Sequence, residues 1–228
     1  MARALIIDLD DTLYDERSYV LSGFRAVAAE VAGRHPGVDA DALFGAMQAE
    51  LDAHGRGQVF DRALAQAGLA PDPETVAALV AAYRAHEPAI TLWPGVAETL
   101  ADLRRDHRLA ILTDGLPLMQ RRKVAALGVE ALVDEVLYSW EHESPKPDPA
   151  CYAEALRRLG TRAEETVVIG DNPGHDMAAA RAIGAPSIRV LTGRFAAQPD
   201  AGFPADAVAA SFPEVPPVLR SGRFGAVA

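Results

Sequence analysis

Apolar positions follow two rhythms along this chain. Unbroken runs at Leu5-Ile6-Ile7, Leu109-Ala110-Ile111-Leu112 and Val167-Val168-Ile169 have the length and continuity of strands buried on both faces. Between Tyr14 and Pro88, by contrast, Ala, Leu, Val and Phe recur every three or four residues, which predicts helices over 17–33, 40–53, 59–68 and 73–86. Breakers separate them at Pro36-Gly37, Gly55 to Gly57, Gly68 to Pro73, and Pro88. From Leu92 onward helix and strand alternate. Helices are expected over 94–106, 117–127, 149–159 and 176–183, and strands over 108–112, 135–139, 167–170 and 187–191, with a last short strand at 207–210. Gly128, Gly160 and Gly184 stand where helix C-termini would end. The residues after Pro216 are expected to be loosely held.

Such alternation predicts an α/β fold with a parallel sheet and right-handed crossovers. Residues 1–13 and 89–228 would form the core, and 14–88 an all-helical insert. Both ends of the insert would leave one edge of the core, so it is expected to act as a lid.

Composition narrows the function. Half of the 228 residues are hydrophobic, so the chain can bury a core. The net charge of −10 argues against binding nucleic acid by bulk charge. Any phosphorylated ligand must be met by local positive charge. The single cysteine, Cys151, excludes an internal disulfide and a zinc site, and is expected to pack inside a helix. No apolar run reaches membrane-spanning length, and a strand begins almost at the first residue, so the expectation is a cytoplasmic protein without a signal peptide.

Polar chemistry collects where the apolar runs stop. The first run ends in Asp8-Leu9-Asp10-Asp11-Thr12. Crowded carboxylates repel unless a cation or proton compensates them, and an oxygen-only cluster suits Mg²⁺. The second run ends in Thr113-Asp114-Gly115, where a hydroxyl and free backbone N–H groups can hold a phosphate oxygen. Lys146 lies between Pro145 and Pro147, whose rings stiffen the backbone and suit a lysine aimed at one point. The third run leads into Gly170-Asp171-Asn172-Pro173-Gly174-His175-Asp176. Gly170 would let the backbone turn at the acid, and Asp176 is placed to cap the next helix.

Four such motifs in this order resemble the haloacid dehalogenase-like hydrolase superfamily, over roughly residues 3–195. The resemblance implies a Rossmann-like core with a helical cap inserted after the first strand. It implies Asp8 as a nucleophile that forms an aspartyl-phosphate, and Asp10 as general acid and then general base. It implies Mg²⁺ on the carboxylates of Asp8 and Asp171 and the backbone carbonyl of Asp10, with Asp176 and Asn172 as supporting neighbours. The phosphoryl group would be held by the turn Thr113-Asp114 and by Lys146. Family dehalogenases lack an acid two residues after the nucleophile, so Asp10 points to phosphoryl transfer. The branch cleaving carbon–phosphorus bonds uses a cap lysine, and 14–88 contains none.

The expected protein is therefore a Mg²⁺-dependent phosphatase for a small metabolite monoester, a sugar phosphate or nucleoside monophosphate. A phosphosugar mutase and a non-catalytic phospho-ligand-binding protein are the alternatives. In the cap, Arg56 between two glycines, with Arg17 and Tyr19, is the candidate substrate contact. No nucleic-acid or membrane partner is expected, and the chain is expected to be a monomer or homodimer.

Overall fold

The computed structural model describes residues 2–200 and 202–221. These residues form two compact units, one of 2–16 with the described residues from 91 onward and one of 17–90. The first unit is built on one sheet of six parallel strands: β1 (Ala4–Ile7), β2 (Arg108–Thr113), β3 (Glu135–Tyr138), β4 (Thr166–Gly170), β5 (Ser187–Val190) and β6 (Ala207–Ala209). Their spatial order is β3-β2-β1-β4-β5-β6. Strand order therefore reverses between β1 and β4, and open α/β sheets bind ligands in the crevice beyond the strand ends at such a point. Ile7 stands level with Ile111 of β2 on one side and Ile169 of β4 on the other. The residues that follow these three positions thus emerge side by side at one edge.

Burial explains the apolar runs. All four residues of β1 and all five of β4 are buried. Helices α5 (Val96–Leu103), α6 (Pro117–Leu127), α7 (Pro149–Leu159), α8 (Ala178–Ile183) and α9 (Val215–Arg220) complete this unit. Leu112, Leu137, Tyr152, Ala155 and Val168 share one cluster of its core. Gly128, Gly160 and Gly184 all take left-handed φ, from 64° to 74°, at helix ends.

Three expectations need correction. The helix expected over 176–183 begins at Ala178, because Pro173–Met177 forms a wider π-helical turn first. The helix expected over 94–106 occupies Val96–Leu103 only. A loosely held tail was expected after Pro216, yet α9 continues to Arg220 with Val215 buried beneath it; residues 222–228 lie outside those described.

The second unit consists of α1 (Glu16–Arg34, whose first residue belongs to the sheet unit), α2 (Ala40–His54), α3 (Val59–Gln66) and α4 (Pro73–Ala85). Asp39 and Asp72 cap α2 and α4 by accepting from the first free N–H groups. Phe24, Val27, Leu43, Met47, Leu64 and Leu79 form its core. Beside them Tyr19, Phe24, Phe60, Tyr83 and His86 make an aromatic cluster with ring centroids 4.9–6.1 Å apart. Among the described residues no helix is long and apolar enough to cross a membrane.

Gly23 of α1 gives this packing a direct test. A Cβ there would lie 2.5 Å from Cδ2 of Tyr83 and 3.1 Å from Cε1 of His86. Helix propensity alone favours alanine over glycine by about 1 kcal/mol. The ring cannot swing away without disturbing the cluster, and overpacking of this kind costs about 1–3 kcal/mol. Gly23→Ala is therefore expected to lower stability despite the better helix former, read as an earlier thermal midpoint.

Candidate active site

Asp8 follows β1 directly, its N–H donating to the carbonyl of Ile169 at 2.9 Å. Its carboxylate has two neighbours from this chain. The ammonium of Lys146 lies 2.5 Å from Oδ1, and the hydroxyl of Thr12 donates to Oδ2 at 3.2 Å. Lys146 also reaches Oδ1 of Asp176 at 2.8 Å. Asp176 is held by the Tyr152 hydroxyl at 3.3 Å and the Asn172 N–H at 3.3 Å. Burial works against a charged lysine, but the Asp176 and Asp8 carboxylates overcome it and hold Lys146 well above its ordinary range. It is therefore a permanent cation.

The loop carrying Lys146 is braced from β2. The Asp114 carboxylate accepts from the Lys146 N–H at 2.9 Å and the Ser139 hydroxyl at 2.5 Å. Asp114 was expected in the phosphate-binding turn; its side chain instead fixes the lysine loop, a task that uses its acceptors. Thr113 ends β2, and its buried hydroxyl oxygen lies 2.6 Å from Gln120 Nε2.

Two expectations about the acidic loop change. Asp176 does not cap a helix; Asn172 does, its side chain accepting from the Gly174 N–H at 3.0 Å. Gly170 is required for space rather than for a left-handed turn. Its φ is not positive, but a Cβ there would overlap the Asp176 carboxylate and lie 2.7 Å from its Cβ.

Asp10 belongs to a different set of partners. Lys123 places its ammonium 2.7 and 2.9 Å from the two carboxylate oxygens, Gln120 donates to Oδ2 at 2.7 Å, and the Tyr14 hydroxyl donates to Oδ1. Burial would raise its pKa, yet these donors, Lys123 foremost, bring it below the ordinary value. Asp11 is a turn residue, with φ 58° and a carboxylate that accepts from the N–H groups of Glu16 and Arg194.

Asp8, Asp171 and Asp176 each bring an oxygen within 4.8 Å of the others. The residues fit a hard divalent cation. Asp171 Oδ2 is buried without a hydrogen-bond donor, and the cluster offers oxygen alone. Asp176 is held on both oxygens, by Lys146 and Tyr152 on one and the Asn172 N–H on the other, which leaves Asp171 and the Oδ2 side of Asp8 as the more available carboxylate oxygens. Asp10 could contribute only its backbone carbonyl, since its carboxylate faces Lys123. Burial, then the carboxylates of Asp8, Asp176 and Asp11, push Asp171 up to about 9. Burial pushes Asp8 up to about 7 despite Lys146.

The substrate candidates of the helical unit have different surroundings. Arg17 pairs with Asp52 at 2.7 Å, and Arg56 is exposed in the turn between α2 and α3. Tyr19 was expected to face a cleft but is 1% exposed, its ring 4.9 Å from that of His86. Sequence reasoning missed Tyr14, Gln120, Lys123 and Tyr152. Gln120 and Lys123 sit three residues apart on α6, one side of a helix, but Arg121-Arg122-Lys123 reads as an exposed basic run.

These shifts fix a pH dependence. The ordinary carboxylate value is 3.8, and the folded chain holds the Asp8 and Asp171 protons more tightly than that. The folded state therefore binds more protons than the unfolded state between about pH 4 and 9, and stability falls as pH rises through that window. Metal-free protein is expected to lose thermal midpoint from pH 6 to pH 9. Added Mg²⁺ should raise the midpoint more at pH 9 than at pH 6, because fewer protons have to be displaced. A midpoint gain from Mg²⁺ that is no larger at pH 9 than at pH 6 would contradict the site.

The model of the haloacid dehalogenase-like hydrolases matches residues 2–184. The chain is 33% identical over 201 residues to glyceraldehyde 3-phosphate phosphatase of Methanopyrus kandleri, covering 86% of each chain. It is 35% identical over 199 residues to ribulose-1,5-bisphosphate 5-phosphatase of Halopiger xanaduensis, covering 81% of this chain and 82% of that one. The crystal structure of 2-haloacid dehalogenase from Pseudomonas syringae pv. Tomato superposes with a TM-score of 0.67 at 26% identity, covering 96% and 98% of the two chains. A parallel sheet in this order, with its acids and lysine at the strand ends, and a match over most of its length place the chain in the haloacid dehalogenase-like hydrolase family.

Proposed function

We propose that the chain hydrolyses the phosphate monoester of a small metabolite, with Asp8 as nucleophile and Asp10 as acid and base. One observation carries the reading. Two carboxylates two residues apart sit in separate environments, Asp8 against Lys146 and Thr12, and Asp10 against Lys123, Gln120 and Tyr14. Such a division of roles is how one site keeps two acids in different jobs. Relatives named as phosphatases support the same reaction type. Their named substrates are sugar phosphates, which favours that class here over nucleoside monophosphates.

Thr113 and Lys146 hold the phosphoryl oxygens, so that the phosphorus lies in line with an Asp8 oxygen. Asp8, Asp171 and the Asp10 carbonyl would hold Mg²⁺, whose charge would let an anionic nucleophile approach an anionic phosphate. The Asp8 O–P bond forms as the ester P–O bond breaks, and Asp10 gives its proton to the departing alkoxide, releasing an alcohol. Asp10 is an anion at rest; a phosphate monoanion bound beside it raises its proton affinity and hands over its own proton, which Asp10 passes to the alkoxide, and the proton taken up in the second step goes on to solvent. In the second step Asp10 takes a proton from water, the water O–P bond forms and the Asp8 O–P bond breaks, returning Asp8 and inorganic phosphate. Carbon–halogen cleavage would leave Asp10 without a task, since halide departs as a stable anion.

Asp8→Asn keeps the shape of the side chain but cannot attack phosphorus. It is expected to lower phosphate release by at least about 10³-fold with an unchanged circular-dichroism spectrum; activity within tenfold of wild type would sink the assignment. A panel of metabolite phosphates, run with chelator and then with Mg²⁺ restored, should show turnover only with the metal, strongest on sugar phosphates. Full turnover in excess chelator would rule out the metal's part.

A further inference from the structure

The clamp on Asp10 is built from α6, and nothing in the reaction just described assigns it a role. Residues 121–123 are three cations in a row, yet only Lys123 is buried, at 4% exposure. Its ammonium spans both oxygens of Asp10. A buried ion pair is weak evidence for stability, because apolar residues of similar volume often serve as well. A lysine kept here needs another reason. Gln120 supplies one. Its Nε2 lies 2.7 Å from Asp10 Oδ2, 2.6 Å from Thr113 Oγ1 and 2.7 Å from the Asp114 carbonyl. One amide nitrogen therefore links the acid to the turn that holds the phosphate. Lys123, three residues on, fixes the opposite degree of freedom, rotation of the carboxylate about its own axis.

We infer that Lys123 is a positioning residue, which with Gln120 aims the Asp10 carboxylate at the leaving-group oxygen of a phosphate held at Thr113. The inference rests on the phosphatase reading above. It requires that losing Lys123 mimic losing the acid, without touching phosphate capture. An alkyl ester needs a proton delivered to its oxygen, whereas an aryl ester leaves as a stable phenolate.

The test compares Lys123→Met, Lys123→Arg and Asp10→Asn in the full chain with Mg²⁺. The probes are 4-nitrophenyl phosphate and the alkyl phosphate hydrolysed fastest in the panel. In single turnover, Lys123→Met should lose about 100-fold in the alkyl rate, on the scale of one acid–base group, while the aryl rate stays within about fivefold. The alkyl KM should stay within about threefold. Lys123→Arg keeps the charge, and so the fold if the methionine variant lacks it; it should show a smaller loss with the same preference for the aryl ester. Equal losses on both esters, a loss carried by KM, or a loss that follows only the thermal midpoint would mark Lys123 as structural and overturn the inference. Asp10→Asn separates the two claims. If it favours the aryl ester and the Lys123 variants do not, the positioning role fails and the phosphatase reading stands. If Asp10→Asn itself shows no such preference, the acid assignment fails first, and the positioning role with it.

Discussion

The organisation of the site depends on the contact between Lys146 and two carboxylates. Asp8, Asp171 and Asp176 converge at the edge of a buried sheet, where neither bulk water nor distance relieves their repulsion. Lys146, itself buried, offsets two of them at 2.5 and 2.8 Å. Asp171 is left without a donor on one oxygen. The consequence is a site with more carboxylates than cations and one unsatisfied acceptor, a ready place for a small hard cation. Much nearby structure serves that contact. Asp114 and Ser139 brace the lysine loop, Tyr152 and Asn172 steady Asp176, and Gly170 leaves the space that Asp176 fills.

The second carboxylate pair of the first motif shows why spacing matters. Residues 8 and 10 are two apart beyond a strand, yet their side chains reach separate partner sets. Asp8 meets Lys146 and Thr12, and Asp10 meets Lys123, Gln120 and Tyr14. Each acid therefore has its own cation, Lys146 for Asp8 and Lys123 for Asp10.

The sheet was legible in the sequence because parallel strands buried on both faces must be continuously apolar, as 4–7, 109–112 and 167–169 are. The first-motif acids, Thr113 and Asp171 stand where those runs stop, and Lys146 stands between two prolines, which is why local pattern singles them out. Their partners were not. Lys123 hides in a basic run, and only the rotation of α6 decides which of three cations turns inward. Asp176 looked like a cap because capping is a local property, whereas its actual partner lies thirty residues away in sequence. Tyr19 was read from nearness to the first motif, but the aromatic packing of its own helical unit claims it. Contacts fixed by tertiary geometry leave little trace in local pattern.

The central claim is that phosphate passes through Asp8. The most direct measurement is the intact mass of Asp10→Asn protein, mixed with 4-nitrophenyl phosphate and Mg²⁺ and quenched rapidly in acid, followed by peptide mapping. The aryl group leaves without needing a proton, while the water step has lost its base. The account predicts a chain carrying one phosphoryl group, located on Asp8. An unmodified chain throughout turnover, or a phosphoryl group on any other residue, would contradict it.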